Sequence, residues 1–166
     1  MRIPINQEDL LKDNLSWLCI EPVLISVRGK TLTTKSEVYN QLNEGQRALY
    51  LFYAFHNHVQ SNVELYWFAA YFMNELKAWK GLKDGIAFFK DNEMLMLMEQ
   101  LETIIENKNK DVNGIWREAF PSDLEKDMNL SDSINQIYSE YQVSVLLTIQ
   151  AMNSYIRNNK DDFIKL

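Results

Sequence analysis

Residues 43–79 read NEGQRALYLFYAFHNHVQSNVELYWFAAYFMNELKAW. Half of the chain's aromatic residues lie in this stretch, which is less than a quarter of its length: Tyr50, Phe52, Tyr53, Phe55, Tyr66, Trp67, Phe68, Tyr71, Phe72 and Trp79. Aromatic side chains bury large areas, so the core forms here. Asn43 followed by Gln46 is a capping-box pattern, and from Ala48 to Phe55 the residues are apolar or aromatic on almost every side, as in the middle of a helix bundle. His56-Asn57-His58-Val59-Gln60-Ser61-Asn62 then turns polar. Ser61 or Asn62 caps a second helix with Val63, Trp67, Ala70, Tyr71 and Asn74 on one face. The stretch predicts two antiparallel central helices joined by a tight turn.

Upstream, Asn6 is placed to cap a first helix, with Leu11, Leu15 and Leu18 at helical spacing. Residues 21–27 read as a short helix with Pro22 in its first turn or as a β-branched strand; without a second strand to pair with, helix is the expectation. Thr31 to Ser36 reads as a loop and 36–42 as a short helix. Downstream, Lys80-Gly81-Leu82 reads as a break, followed by short helical segments over 84–89 and 92–107. In the latter, Met94, Leu97, Met98, Leu101 and Ile105 form one stripe. Residues 107–114 read as a mobile loop. Ser122 and Glu125 form a second capping-box pattern. A last long helix starts near Ser131, with Ile134, Ile137, Tyr138, Tyr141, Val145, Ile149, Met152 and Ile156 on its buried side, and one more docked turn uses Phe163 and Ile164. The expected fold is all-α: a single domain over 1–166 with about seven or eight helices around the central aromatic-rich pair.

Composition sets limits on function. With 166 residues the chain can bury a full core, and five glycines with three prolines are too few for a turn-rich sandwich or barrel. A formal net charge of −6 argues against direct binding to nucleic acid or to an anionic membrane, and favours a basic partner. Cys19 is the only cysteine, so no internal disulfide is possible. With no signal-peptide core in residues 1–6 and no apolar run near the ~20 residues that span a bilayer, a cytoplasmic location is expected.

Candidate chemistry is sparse. His56 and His58 are two residues apart, so on a helix their rings point roughly 200° apart and cannot share one ion. No Glu-x-x-His pair, nucleophile elbow or Gly-rich phosphate cradle is present, so no cofactor is expected. Cys19 sits between Leu18 and Ile20 and reads as a core thiol. A pocket near the central turn, lined by His56, His58 and Glu64, is the enzymatic or small-ligand alternative. The more distinctive feature is two acidic clusters: Asp91, Glu93, Glu99, Glu102 and Glu106, and then Asp123, Glu125, Asp127 and Asp132, the latter diluted by Lys126. Carboxylates at such spacing can imitate phosphates and attract a basic protein; the plain alternative is a solvated face that aids solubility.

The run Leu42-Asn43-Glu44-Gly45-Gln46-Arg47-Ala48-Leu49-Tyr50, continued through Phe52-Tyr53 to Asn57-His58-Val59, resembles a bacterial family of uncharacterised helical domains that includes the acidic DNA-mimic proteins. The resemblance covers mainly residues 36–105. It implies a compact all-α cytoplasmic protein, often a homodimer, without known catalysis. Some of that family's members bind a DNA-binding regulator by presenting carboxylates in place of phosphates. The functional expectation is therefore a non-enzymatic module whose acidic face meets a basic partner, a DNA-binding regulator or a toxin.

Overall fold

The computed structural model describes residues 2–165. The architecture is all-α, with ten α-helices among the described residues: α1 Leu15–Leu18, α2 Glu21–Ser26, α3 Leu32–Asn40, α4 Glu44–His56, α5 Asn62–Asn74, α6 Trp79–Phe88, α7 Asn92–Asn109, α8 Asp123–Lys126, α9 Met128–Asn158 and α10 Lys160–Phe163. The count exceeds the expected seven or eight because α1, α8 and α10 are four-residue pieces. A 3-10 turn, Gln7–Leu11, precedes α1. Two strands of two residues each, β1 Ile3–Pro4 and β2 Ile164–Lys165, pair in parallel.

The central aromatic stretch forms α4 and α5, as its caps predict. Asn43 Oδ1 accepts the Gln46 N–H at 2.8 Å while Gln46 Oε1 accepts the Asn43 N–H at 3.2 Å. Ser61 Oγ takes the Glu64 N–H at the start of α5. Phe55 lies at the hub: its ring contacts Phe68, Phe72, Trp79 and Tyr141, each between 5.5 and 6.4 Å centre to centre, which ties α4 to α5, α6 and α9. Helix α9 carries Ile134, Ile137, Tyr141, Val145, Met152 and Ile156 into this core, and α7 adds Met94, Leu97, Met98, Leu101 and Ile105. Residues 21–27 resolve as helix α2, with Pro22 in the first turn.

Several local expectations are corrected. The face of α5 that turns inward is Leu65, Tyr66, Phe68, Ala69, Ala70, Phe72 and Met73; of the expected face only Ala70 is buried, and Trp67 is 40 % exposed. This helix is apolar nearly all round, so its periodicity does not single out a face. No break occurs at Lys80-Gly81-Leu82, because α6 runs through it. Helix α3 begins at Leu32 under a Thr31 cap, whose Oγ1 accepts the Thr34 N–H, where a loop was expected. The expected helix through Leu11, Leu15 and Leu18 is interrupted after Leu11, which stands 82 % exposed. Within residues 107–114, α7 continues to Asn109, and in the turn that follows Asp111 Oδ1 accepts the N–H groups of Asn113 and Ile115 at 2.9 and 2.8 Å. Ser122 makes no capping bond; instead Asp123 Oδ2 accepts the Phe120 N–H. Helix α9 starts at Met128, three residues before Ser131, because Asp127 caps it through the Leu130 N–H.

Candidate functional site

The central turn brings His56, His58 and Glu64 close in sequence, but each is engaged separately. His56 lies half-buried, with its ring stacked on Phe52 and Nδ1 2.8 Å from the Tyr141 hydroxyl. Burial lowers its pKa and favours the neutral ring. His58 is exposed, stacks on Phe68 at 4.3 Å, and donates from Nδ1 to the Ala54 carbonyl, which fixes its tautomer. Glu64 Oε2 accepts the Gln60 N–H at 2.7 Å and so closes the turn. None of the three lines either of the two grooves described below. Cys19 is buried, and desolvation pushes its thiol up to about 12, far from a reactive thiolate.

The acidic candidates divide by environment. Asp123 is buried and is the acceptor at the centre of a polar network. Its Oδ2 takes hydrogen bonds from the Tyr66 hydroxyl, the Arg117 guanidinium and the Phe120 N–H, each at 2.9 Å. Asn109 completes the network, donating from Nδ2 to Tyr66 Oη and accepting from Arg117 at 2.7 Å. Burial alone would raise the Asp123 pKa; the Arg117, Phe120 and Tyr66 donors outweigh it and hold the pKa below the usual value. The same burial pushes Tyr66 up to about 12.

Asp127 caps α9 and pairs with Lys108 at 2.7 Å, and these bonds lower its pKa. Asp91 caps α7 through the Met94 N–H and accepts from Thr148 at 2.6 Å. Glu102 pairs with Lys83, and Glu106 with Lys110 at 2.9 Å. Glu93, Glu99 and Glu125 remain exposed, with no ion-pair partner among the described residues. The two clusters counted in sequence thus reduce, in space, to a few open carboxylates.

One of those open carboxylates sits in a groove. Between α7 and α9 a depression of about 530 Å³ is lined by Glu93, Met96, Leu97 and Gln100 from α7 and by Ser139, Glu140, Val143 and Ser144 from α9. Met96 is 60 % and Val143 68 % exposed, so the groove joins exposed apolar surface with carboxylates contributed by two helices. Sequence reading missed Glu140 and Val143. The available signal was a surplus: α9 carries no charged residue from Tyr141 to Ile156, yet Val143, Leu146 and Leu147 lie off its buried stripe. A second groove of about 630 Å³ lies where the 3-10 turn and α1 meet α9, with Tyr53 of α4 in its lining.

Among the described residues, no group of three or more His, Cys, Asp or Glu side chains is placed to hold a metal ion, and no helix is long and apolar enough to cross a membrane. No protein-family model, curated protein or solved structure matches this chain.

Proposed function

We propose that this chain is a protein-binding module that performs no chemistry of its own, and that the α7–α9 groove receives a basic, amphipathic segment of its partner. The observation that carries the reading is the joint lining of one groove by Glu93 and Glu140 together with Met96 and Val143. Apolar surface of this kind on a globular protein marks an interaction site when polar groups rim it. An amphipathic helix docks into such a groove by its apolar face, and acidic rims select lysine and arginine on its flanks. A DNA-binding regulator or a toxin of basic charge offers such a segment. The acidic-face expectation is thereby narrowed: Glu93 and Glu140 do the recruiting, while Asp91, Asp123 and Asp127 serve the fold.

The test uses a designed basic amphipathic helical peptide as probe, with binding followed by fluorescence anisotropy at low and high salt. The wild-type chain should bind at low salt and release as the screening length falls from about 10 Å at 0.1 M towards about 3 Å at 1 M. Glu93→Lys with Glu140→Lys should weaken binding roughly tenfold or more, since each reversal turns an attraction into a repulsion of about 1 kcal/mol at an exposed site. Equal binding by the double variant would remove this groove from the function.

A further inference from the structure

Two steps in the chain are chemically prone to attack on a side-chain carbonyl by the next backbone nitrogen, Asp84-Gly85 and Asn113-Gly114. Glycine has no side chain to hinder its own amide nitrogen from approaching the carbonyl of the residue before it. The fold treats the two steps differently. Asp84-Gly85 lies inside α6, where helical hydrogen bonds fix the backbone, Gly85 is buried against Ala48 and the Asp84 carboxylate pairs with Lys80 at 2.6 Å. Asn113-Gly114 lies in the exposed turn after α7, next to a fully exposed Val112. The Asn113 side-chain amide makes no hydrogen bond among the described residues, and a Cβ built on Gly114 would meet nothing closer than Lys110 Cε at 4.0 Å. Asp111 restrains this open step. Its Oδ1 accepts the Asn113 and Ile115 N–H groups, its carbonyl accepts the Gly114 N–H at 2.9 Å, and its own N–H donates to the Ile115 carbonyl at 2.9 Å.

We propose that Asn113 is a site of spontaneous deamidation and that Asp111 sets its rate by holding the turn closed. The Gly114 nitrogen loses its proton and bonds to Asn113 Cγ. The Cγ–Nδ2 bond breaks, and Nδ2 leaves as ammonia with a proton in place of the one Gly114 gave up. The five-membered imide that results takes up one water. Opening at Cγ restores the backbone with aspartate at 113; opening at the Asn113 main-chain carbonyl leaves isoaspartate, with the backbone routed through Cβ and Cγ. In the closed turn the attacking nitrogen is engaged with the Asp111 carbonyl, so the reaction runs through molecules in which the turn has opened locally. Either product makes the chain one charge more negative than its formal −6. The isoaspartate form also lengthens the backbone inside the loop closed by the Lys110–Trp116 bridge, and so displaces Trp116 from Lys110, whose Nζ lies 5.5 Å from the indole ring centre. The change stops at the base of the turn, where the Arg117 N–H donates to the Asn109 carbonyl at 2.7 Å and Asp123 holds the Arg117 side chain. None of these residues lines either groove, so modification should leave peptide binding as it was.

The experiment ages the full chain in warm, mildly alkaline buffer. Two signals are read by peptide mapping: the mass gained when an amide becomes a carboxylate, and the methyl groups that a protein-isoaspartate methyltransferase transfers from S-adenosylmethionine. The mass gain should appear at residue 113, and the methyl label there and not at residue 84. In denaturing urea the reaction at 113 should run much faster, because nothing then restrains the Gly114 nitrogen. Asp111→Ala should speed the reaction of the folded chain roughly tenfold through loss of its turn-closing hydrogen bonds. Its rate in urea and its far-UV circular dichroism spectrum should match wild type. Asp111→Asn removes the charge but keeps an acceptor oxygen, and should stay near the wild-type rate. Asn113→Gln should remove both signals, since its ring would need a sixth member. An unmodified residue 113 in folded Asp111→Ala, a folded wild-type chain that reacts as fast as it does in urea, an Asp111→Asn variant as fast as Asp111→Ala, or isoaspartate that forms first at residue 84 would each overturn the proposal.

Discussion

Asp123 shows how a single residue changes meaning between sequence and structure. As a letter it belongs to an acidic cluster; in the fold it is the acceptor for three donors from α5, Arg117 and the Phe120 backbone. Asp123→Ala removes an acceptor from the Tyr66 hydroxyl, the Arg117 guanidinium and the Phe120 N–H at once, leaving Tyr66 with Asn109, and the expected loss is about 2 kcal/mol in chemical denaturation. Because its folded pKa lies below the ordinary 3.8, its contribution is fully present above that value and is lost as the pH falls through the folded pKa. His56 acts at milder pH. Its folded pKa lies below 6.5, so in acid the unfolded chain takes up the proton first and stability declines as the pH drops below that value. His56→Gln should flatten the stability profile just below pH 6.5, as read by thermal melts across that range. Neither partner set was legible in the sequence: Tyr66 and Asp123 are 57 positions apart, and His56 and Tyr141 are 85 apart.

At the scale of elements, the docking of α4 on α6 depends on two glycines, Gly85 and the Gly81 that a sequence reading takes for a break. A Cβ at Gly85 would lie 2.9 Å from the Ala48 Cα, a backbone atom that cannot yield without moving the helix. A Cβ at Gly81 would lie 2.7 Å from Leu51 Cδ1, the end of a flexible and half-buried side chain. The two substitutions should therefore differ in sign. Gly85→Ala should destabilise by about 1–3 kcal/mol through overpacking. Gly81→Ala should be neutral or stabilise by up to about 1 kcal/mol, because alanine is the better helix former and Leu51 can turn aside. Urea denaturation of both variants checks this. The close approach seats Trp79 beside Phe55, although its indole Nε1 is buried without a partner among the described residues, for which the packing offers no compensation. What sequence made legible at this scale was caps and long stripes: Asn43 and Ser61 begin helices, and the buried faces of α7 and α9 fall where the spacing puts them. What it left hidden was decided by a second element: which side of the all-apolar α5 faces inward, and whether a glycine ends a helix or lets another helix approach.

At the scale of the whole molecule, the sequence shows how many carboxylates exist but not which lysines reach them. Lys83 and Glu102 meet across two helices, and Lys108 and Asp127 across a long loop. The α7–α9 groove was illegible for the same reason, since it exists only where two distant helices lie side by side. Another long-range device is the seam formed by β1, β2 and α10. Phe163 is 1 % exposed, packs edge-on to Tyr155 and lies over Gly45, while the Ile5 N–H donates to the Lys165 carbonyl at 3.2 Å. Phe163→Ala should cost about 3–5 kcal/mol. It should also speed hydrogen exchange at the Ile5 amide more than at the amides of α4, because the seam rests on that ring.

The seam also bears on the order of events as the chain is made. Ile3 aligns with Ile164, so β1 leaves the ribosome long before its hydrogen-bonding partner β2. At about 5–20 residues per second, that partner is synthesised roughly ten to thirty seconds later, whereas helix pairs near in sequence, such as α4 with α6, can dock as they emerge. During that interval Ile3 and Ile5, both buried in the finished fold, are bare apolar side chains without a seat. The nascent chain therefore carries a vulnerability to aggregation at residues 3–5, and keeps it until residues 164–165 emerge.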